Sequence, residues 1–234
     1  MAQLEVNNDR PRYPAGVPGK FSSDGTLQHW AGNTIICHIP PSSPVYHSIE
    51  SVIEELSTCK SSSIIAPLPA TSLHMTIFEG VSDQVRIPGY WPSDLALDAT
   101  QKACDDHFEK KLRKFSLGRE AAAPYRMSLK GIDILDVGVA VRLDGVTLSE
   151  VERLRALRDR LADELKIRHS IHDEYGFHIS ILYFLRHPDD EQKRDIASIL
   201  ERHFGKMLKE VELGPPEFCP FTNMHAFNPV FCLE

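Results

Sequence analysis

No stretch of this 234-residue sequence approaches the roughly 18–20 consecutive apolar residues that cross a bilayer. Met1 to Pro14 lacks the basic-then-apolar pattern of a secretory signal, so a cytoplasmic or nuclear protein is expected, with no membrane partner. A basic surplus is missing too. Lys and Arg number 26 against 33 Asp and Glu, a net charge of −7. A protein that tracks a long phosphate backbone carries a basic face, so a long nucleic acid is excluded as partner, while a small anion or an RNA end is not. Cysteine is sparse: Cys37, Cys59, Cys104, Cys219 and Cys232 form no C-x-x-C pair. Free thiols in a reducing compartment are expected, rather than disulfides or zinc. The phosphate loop G-x-x-x-x-G-K-[ST], the dinucleotide fingerprint G-x-G-x-x-G and the G-x-S-x-G elbow of serine hydrolases are all absent. The 42% of hydrophobic and 25% of charged residues describe an ordinary globular chain of one large or two small domains.

Residues 1–33, rich in Pro, Gly, Asn and Ser, read as an irregular arm outside the core. Thr34–Ile39 is a short apolar run closed by two prolines, hence a strand. Val45, Ile49, Val52, Ile53 and Leu56 recur at helical spacing over 44–59. Ser72–Phe78 alternates with period two and predicts a second strand. Residues 79–98 read as a long loop, of the kind that is functional or mobile in a compact domain. Asp98 and Gln101 have capping-box spacing before a helix carrying Phe108, Leu112 and Phe115. Strands over 126–135 and 137–143 follow. Thr147 and Glu150 then open a helix to about Leu165, with Leu148, Val151, Leu154, Leu157 and Leu161 inside. A strand over 177–184, a helix from about Asp189 to Leu208 and one or two strands in the tail complete the chain.

This order repeats. Strand 34–39, helix 44–59 and strand 73–78 correspond to strand 137–143, helix 148–165 and strand 177–184, with Ile36 38 residues before His74 and Ala140 38 before His178. Two similar lobes packed as one domain over 34–234 are expected, divided roughly into 34–120 and 121–234.

Chemistry concentrates at matching places in the two halves, Leu73-His-Met-Thr-Ile77 and Phe177-His-Ile-Ser-Ile181. On a strand, residues i and i+2 share a face. His74 and Thr76 therefore share one face, as do His178 and Ser180, while the apolar neighbours face a core. Chance supplies roughly 1.3 H-x-[ST] triplets in such a chain, and roughly 0.1 once apolar residues are required before, between and after. Two of them, in register, mark a site.

Paired strands of this pattern about a hundred residues apart resemble the 2H phosphoesterase superfamily, which includes the RNA ligase-like cyclic nucleotide phosphodiesterases. Gly32–His38, Ser72–Thr76 and Arg86–Pro92 look like a separate branch of it. The resemblance implies an α+β fold, bilobal and pseudo-duplicated, with two antiparallel sheets facing a central cleft and helices outside. It implies His74 and His178 as acid–base pair and Thr76 and Ser180 as phosphate donors, in a metal-independent hydrolysis needing no cofactor. A small nucleotide-derived cyclic or terminal phosphodiester, of the 2′,3′-cyclic phosphate type, is the expected substrate. The same cleft would also suit a non-catalytic nucleotide- or phosphate-binding module. A metallo-hydrolase using the surplus histidines is a third reading, and a monomer is the default.

Arg86, Tyr90 and Trp91 follow the first histidine strand and are candidates to close over a substrate, although Trp91 reads equally as a loop anchor. Arg126 and Tyr175 are further candidate binding residues. Tyr183 has the parity of the apolar face, so it is assigned to the core. His169, His172, Asp173 and Glu174 invite a metal reading, but the stretch reads as a turn, not the helix that i, i+3 ligation needs. His38 is taken as a structural histidine, and Lys20 as able to fold back to the cleft.

Overall fold

The computed structural model describes residues 11–234. The first ten residues of the expected arm lie outside the described residues. The elements are, in order, β1 (Gly32–His38), α1 (Pro44–Thr58), β2 (Ile65–Pro67), β3 (His74–Ser82), α2 (Gln101–Leu112), β4 (Tyr125–Leu135), β5 (Gly138–Gly145), α3 (Leu148–Leu165), β6 (His178–Phe184), α4 (Asp190–Phe204), β7 (Glu210–Leu213), β8 (Glu217–Phe221) and β9 (Phe231–Cys232).

Local chemistry sets the helix starts. The Ser43 hydroxyl accepts from the Val45 N–H with Pro44 in the first turn, and Val45, Ile49, Val52, Ile53 and Leu56 are buried along α1. Thr100, not Asp98, caps α2, accepting from the Ala103 N–H at 3.1 Å. Thr147 caps α3, but the Glu150 side chain turns to Arg153 instead of closing the box. Leu148, expected inside, is 81% exposed, while Leu154, Leu157 and Leu161 farther along α3 are buried. The capping box of Asp189 and Gln192 on α4 is complete. This helix ends at Phe204, short of Leu208, where Gly205 follows, a poor helix former.

Two antiparallel sheets result, in the strand orders β3-β1-β8-β9 and β2-β6-β5-β4-β7. The sheets are not built from contiguous halves, so residue 120 does not divide them. β2, from the first half, pairs with β6, while β8 and β9, from the tail, extend β1. Helices cross over as well: α1 packs on β2 and β6, and α3 on β3 as well as β5. One continuous apolar core runs behind both sheets and under all four helices.

A β-bulge recurs at one place in each half. Ile35 and Ile36 oppose Phe78 and Thr76, leaving Ile77 extra; Val139 and Ala140 oppose Leu182 and Ser180, leaving Ile181 extra. Both residues of each bulge, Ile77 with Phe78 and Ile181 with Leu182, are therefore buried in the core. Parity flips beyond them. Tyr183 consequently leaves the core face to which simple alternation assigns it. It packs instead on a second apolar cluster with Phe21, Met224 and Phe227.

The described part of the arm belongs to that cluster. Val17 and Phe21 are buried there with Ile36, Leu68 and Leu185, and Trp30 packs against them. Residues 11–33 are thus part of a core, against expectation, because the cleft face of β1 carries the apolar Ile36, which must be covered.

Candidate active site

The two histidines are held alike. His74 Nδ1 lies 2.6 Å from the carbonyl oxygen of Ser72, and His178 Nδ1 lies 2.8 Å from that of Gly176, each two residues upstream. A carbonyl only accepts, so both Nδ1 atoms carry the proton and both Nε2 atoms are left as bare lone pairs in the neutral rings. Cα atoms of β3 and β6 approach within 8 Å. His178 is near enough that its charge further depresses the basicity of His74. Thr76 and Ser180 stand beside them, half-buried, on the same faces.

Their surroundings differ. His38 pairs across from His74, with the rings 6.2 Å apart edge to face, and its Nδ1 contacts a Glu217 carboxylate oxygen. Phe227 packs on His74 with ring centroids 4.5 Å apart. Burial under these groups pushes the His74 pKa down to about 4, the Ser72 carbonyl opposing in part and His38 and His178 reinforcing. Across from His178 stands Arg142, half-exposed and 3.2 Å from Asp133, its guanidinium lying where Gly131 has no side chain.

Tyr175 adjoins both motifs. Its ring lies 5.8 Å from that of His178, and its hydroxyl lies against that of Thr76. Burial raises its pKa, so it is a neutral phenol at working pH. Behind it lies Arg158, 1% exposed, 4.1 Å from the Tyr175 ring. Arg158 donates to the Ile77 carbonyl at 2.6 Å and to Glu79 Oε2 at 3.0 Å. It is a charge buried because it is paired and hydrogen-bonded.

Half of the chain, residues 20–136, matches the family described as "2H-phosphodiest: Domain of unknown function (DUF1868)". The chain belongs to this 2H phosphodiesterase family. Membership supports a hydrolase of the phosphoesterase class. The conserved protein of unknown function ATU0111 from Agrobacterium tumefaciens strain C58 is similar over 97% of this chain and 96% of its own, with 27% identity and a TM-score of 0.87. A structure described as a phosphoesterase aligns at 10% identity over 86% of this chain and 95% of its own (TM-score 0.49), and TT0787 of Thermus thermophilus at 14% over 86% and 97% (TM-score 0.47). No curated protein matches.

In this 2H phosphodiesterase chain several expected binding residues have other work. Arg86 donates to the carbonyls of Asp83, Leu97 and Ala99, pairs with the Asp83 carboxylate and lies 4.2 Å from the Trp91 ring. Trp91 is 1% exposed and donates to the Ala96 carbonyl at 3.0 Å. Together they anchor the 83–99 loop, so neither is free to close on a ligand. Tyr90 stacks on His169 at 4.4 Å and its hydroxyl meets that of Ser170 at 2.7 Å, tying the same loop to the segment before β6. These contacts tie the loop down at both Trp91 and Tyr90. Arg126 faces the cleft side but bonds through its carbonyl to Val146, four residues beyond Arg142, roughly 13 Å along the strand. Its guanidinium is 3.5 Å from Glu210. Tyr175 stays at the site as a buried wall.

Among the described residues, Asp159, His172 and Asp173 bring three metal-type ligand atoms within 4.8 Å of one another. Arg168 Nη2 already sits 3.1 Å from Asp159 and 2.6 Å from Asp173, so a guanidinium answers those carboxylates. His169 turns away, its Nε2 3.0 Å from the Gly80 carbonyl. Lys20 does fold back, donating to the Tyr183 hydroxyl at 3.1 Å and lying 4.7 Å from its ring. Sequence reasoning missed Arg142, Arg158, Glu79 and the role of His38. The constant offset of 104 residues between the halves would have found two of them, since it places Arg142 where His38 stands.

Proposed function

We propose that the chain hydrolyses a small nucleotide-derived phosphodiester, of the 2′,3′-cyclic or terminal type, by metal-independent two-histidine acid–base catalysis. The observation that carries this reading is the common tethering of His74 and His178, which leaves two Nε2 atoms with lone pairs on facing strands. His74, kept neutral by burial, is the base. It takes a proton from water as the water oxygen bonds to phosphorus. His178, entering as the imidazolium, gives its Nε2 proton to the leaving oxygen as the P–O bond breaks. The two rings exchange protonation states over one turnover, and solvent resets them. Binding an anionic phosphodiester beside His74 raises its basicity from the ligand-free value toward working pH. The hydroxyls of Thr76 and Ser180 donate to the non-bridging oxygens, and Arg142 supplies positive charge beside them.

The test is turnover of nucleoside 2′,3′-cyclic phosphates in excess EDTA, followed by chromatography. Replacing either histidine by alanine should lower kcat by on the order of 10²–10⁴. Full activity in either variant, or activity that EDTA abolishes and Zn²⁺ or Mn²⁺ restores, overturns the mechanism. Binding without any product would identify a nucleotide-binding module instead.

A further inference from the structure

The carbonyls that tether the two histidines are unequally supported. Ser72, which holds His74, sits in a single 3₁₀ turn. Its N–H donates to the Pro69 carbonyl at 2.9 Å, its hydroxyl donates to the same oxygen at 2.8 Å, and the Leu73 N–H closes on Ala70 at 3.1 Å. That carbonyl is fixed by its own local backbone. Gly176, which holds His178, belongs to no turn or strand. It is exposed, and a side chain there would meet no atom within 4 Å. Glycine is the residue freest to rotate its peptide planes, so nothing intrinsic to Gly176 aims its carbonyl at His178.

The support comes from its neighbours on either side. Downstream, the Phe177 carbonyl accepts from the Leu143 N–H at 2.8 Å. Upstream, Arg155 of α3 donates through Nη2 to the Tyr175 carbonyl, in the peptide plane that adjoins Gly176. Arg155 makes no other hydrogen bond with its guanidinium: Nη1 is buried and without a partner, and no carboxylate pairs with the group among the described residues. Asp144, Asp159 and Asp173 act on it only from a distance. Its remaining contact is the Phe177 ring, with the centroid 5.2 Å away. A half-buried cation without a carboxylate costs free energy, unlike Arg158 with its Glu79, so stability does not account for its presence.

We propose that Arg155 is a positioning residue for His178: by holding the Tyr175 carbonyl it fixes the peptide plane next to Gly176, keeps the Gly176 carbonyl on Nδ1 and so sets the tautomer and aim of the ring. The proposal rests on the acid–base reading above for its effect on rate, but the tautomer it imposes exists without substrate. A free neutral imidazole carries its proton on either nitrogen, and a facing carbonyl selects Nδ1. Once that carbonyl swings away, the proton can move to Nε2 and the ring can turn. A small misplacement of a reacting group lowers kcat far more than it weakens binding.

Nitrogen-15 NMR of the histidine rings above neutral pH reads the tautomers directly. Thermal melting checks folding, and kcat and KM on nucleoside 2′,3′-cyclic phosphates give the second readout. In the wild type His178 is expected in the Nδ1–H form. Arg155→Met keeps an apolar stem against Phe177 and removes the donor. It should bring in the Nε2–H form and lower kcat by roughly ten- to a hundredfold with KM little changed. Arg155→Ala is the second such variant, and Arg155→Lys, which keeps a donor, should restore most of both readouts. His74, held by its own turn, is the reference in the same spectrum and should stay Nδ1–H throughout. Arg160→Met removes another α3 arginine, one that bonds the Ser116 and Leu117 carbonyls, and should leave the His178 tautomer and kcat unchanged. A wild-type His178 that is not Nδ1–H, or one that stays so when Arg155 is lost, overturns the proposal, as does an equal kcat loss in Arg160→Met. If the tautomer shifts as expected while the wild type turns over no cyclic phosphate, the positioning stands and the catalytic reading falls.

Discussion

On β6 the outer edge is covered by a strand: β2 pairs with it through Ile65 and Ala66, and the Leu68 N–H donates to the Ile181 carbonyl at 3.0 Å. On β3 the same edge is covered by side chains. There Arg158 donates to the Ile77 carbonyl, the counterpart of Ile181, and His169 Nε2 meets the Gly80 carbonyl. A backbone strand satisfies an edge with no charge to accommodate, whereas a buried guanidinium demands a carboxylate, and Glu79 supplies it. The histidines follow the same division. His74 sits under Phe227 and beside His38, dehydrated and weakly basic; His178 faces Arg142 at the open side. The repeated strand pattern thus provides two imidazoles tethered alike, and Phe227 and His38 crowd one of them.

That difference can be broken from several sides. The largest expected effect is on activity: His74→Ala and His178→Ala should each lose on the order of 10²–10⁴ in kcat. The two losses should not carry the same pH dependence. In the wild type kcat/KM should fall as pH drops through about 4, where the ligand-free His74 gains its proton, and rate measurements from pH 3 to 8 read this limb directly.

Next is the edge. Arg158→Leu leaves Glu79 half-buried without its partner and the Ile77 carbonyl without a donor, and should destabilise by about 3–5 kcal/mol in chemical denaturation. Adding Glu79→Gln should return part of that loss, because the stranded carboxylate is gone. An additive double variant would mean the pair is not coupled.

A smaller effect concerns stability and pH. The His74 pKa is about 4 when folded against 6.5 ordinarily, so the unfolded chain binds the extra proton between those values. Stability should therefore fall as pH is lowered from 6.5 to 4, by on the order of 3 kcal/mol from this group. His169 and His225 are shifted in the same direction by burial, so His74→Phe should flatten the slope without abolishing it. Least of all, Arg142→Gln should raise KM severalfold with little change in kcat, as the loss of an exposed charge that binds ground state and transition state alike.

Much of this was legible beforehand. Strand alternation put His74 with Thr76 and His178 with Ser180, and the common spacing exposed the repeat. The 83–99 loop was not legible in the same way. Its Arg86, Tyr90 and Trp91 look like ligand-binding residues by type, but their partners are backbone carbonyls and side chains that no local pattern announces. Tyr183 was misplaced because period-two counting runs straight through a bulge. Residues 11–33 look irregular, and they are, yet irregular backbone can still carry buried side chains such as Phe21.

The sequence by itself determined which residues share the polar face of each histidine strand, since a strand's two-residue period and an apolar flank are local properties of five residues. It also determined the helix starts, through Ser43, Thr147 and Asp189, whose side chains bond within their own first turn. Only the tertiary structure decided that β2 would join the other half's sheet and that Arg158 would take the place of a strand. It alone buried His74 and so lowered its basicity. Solvation and charge depend on what the chain brings near from far along its length, such as Phe227 against His74, and no short window of sequence contains that neighbour.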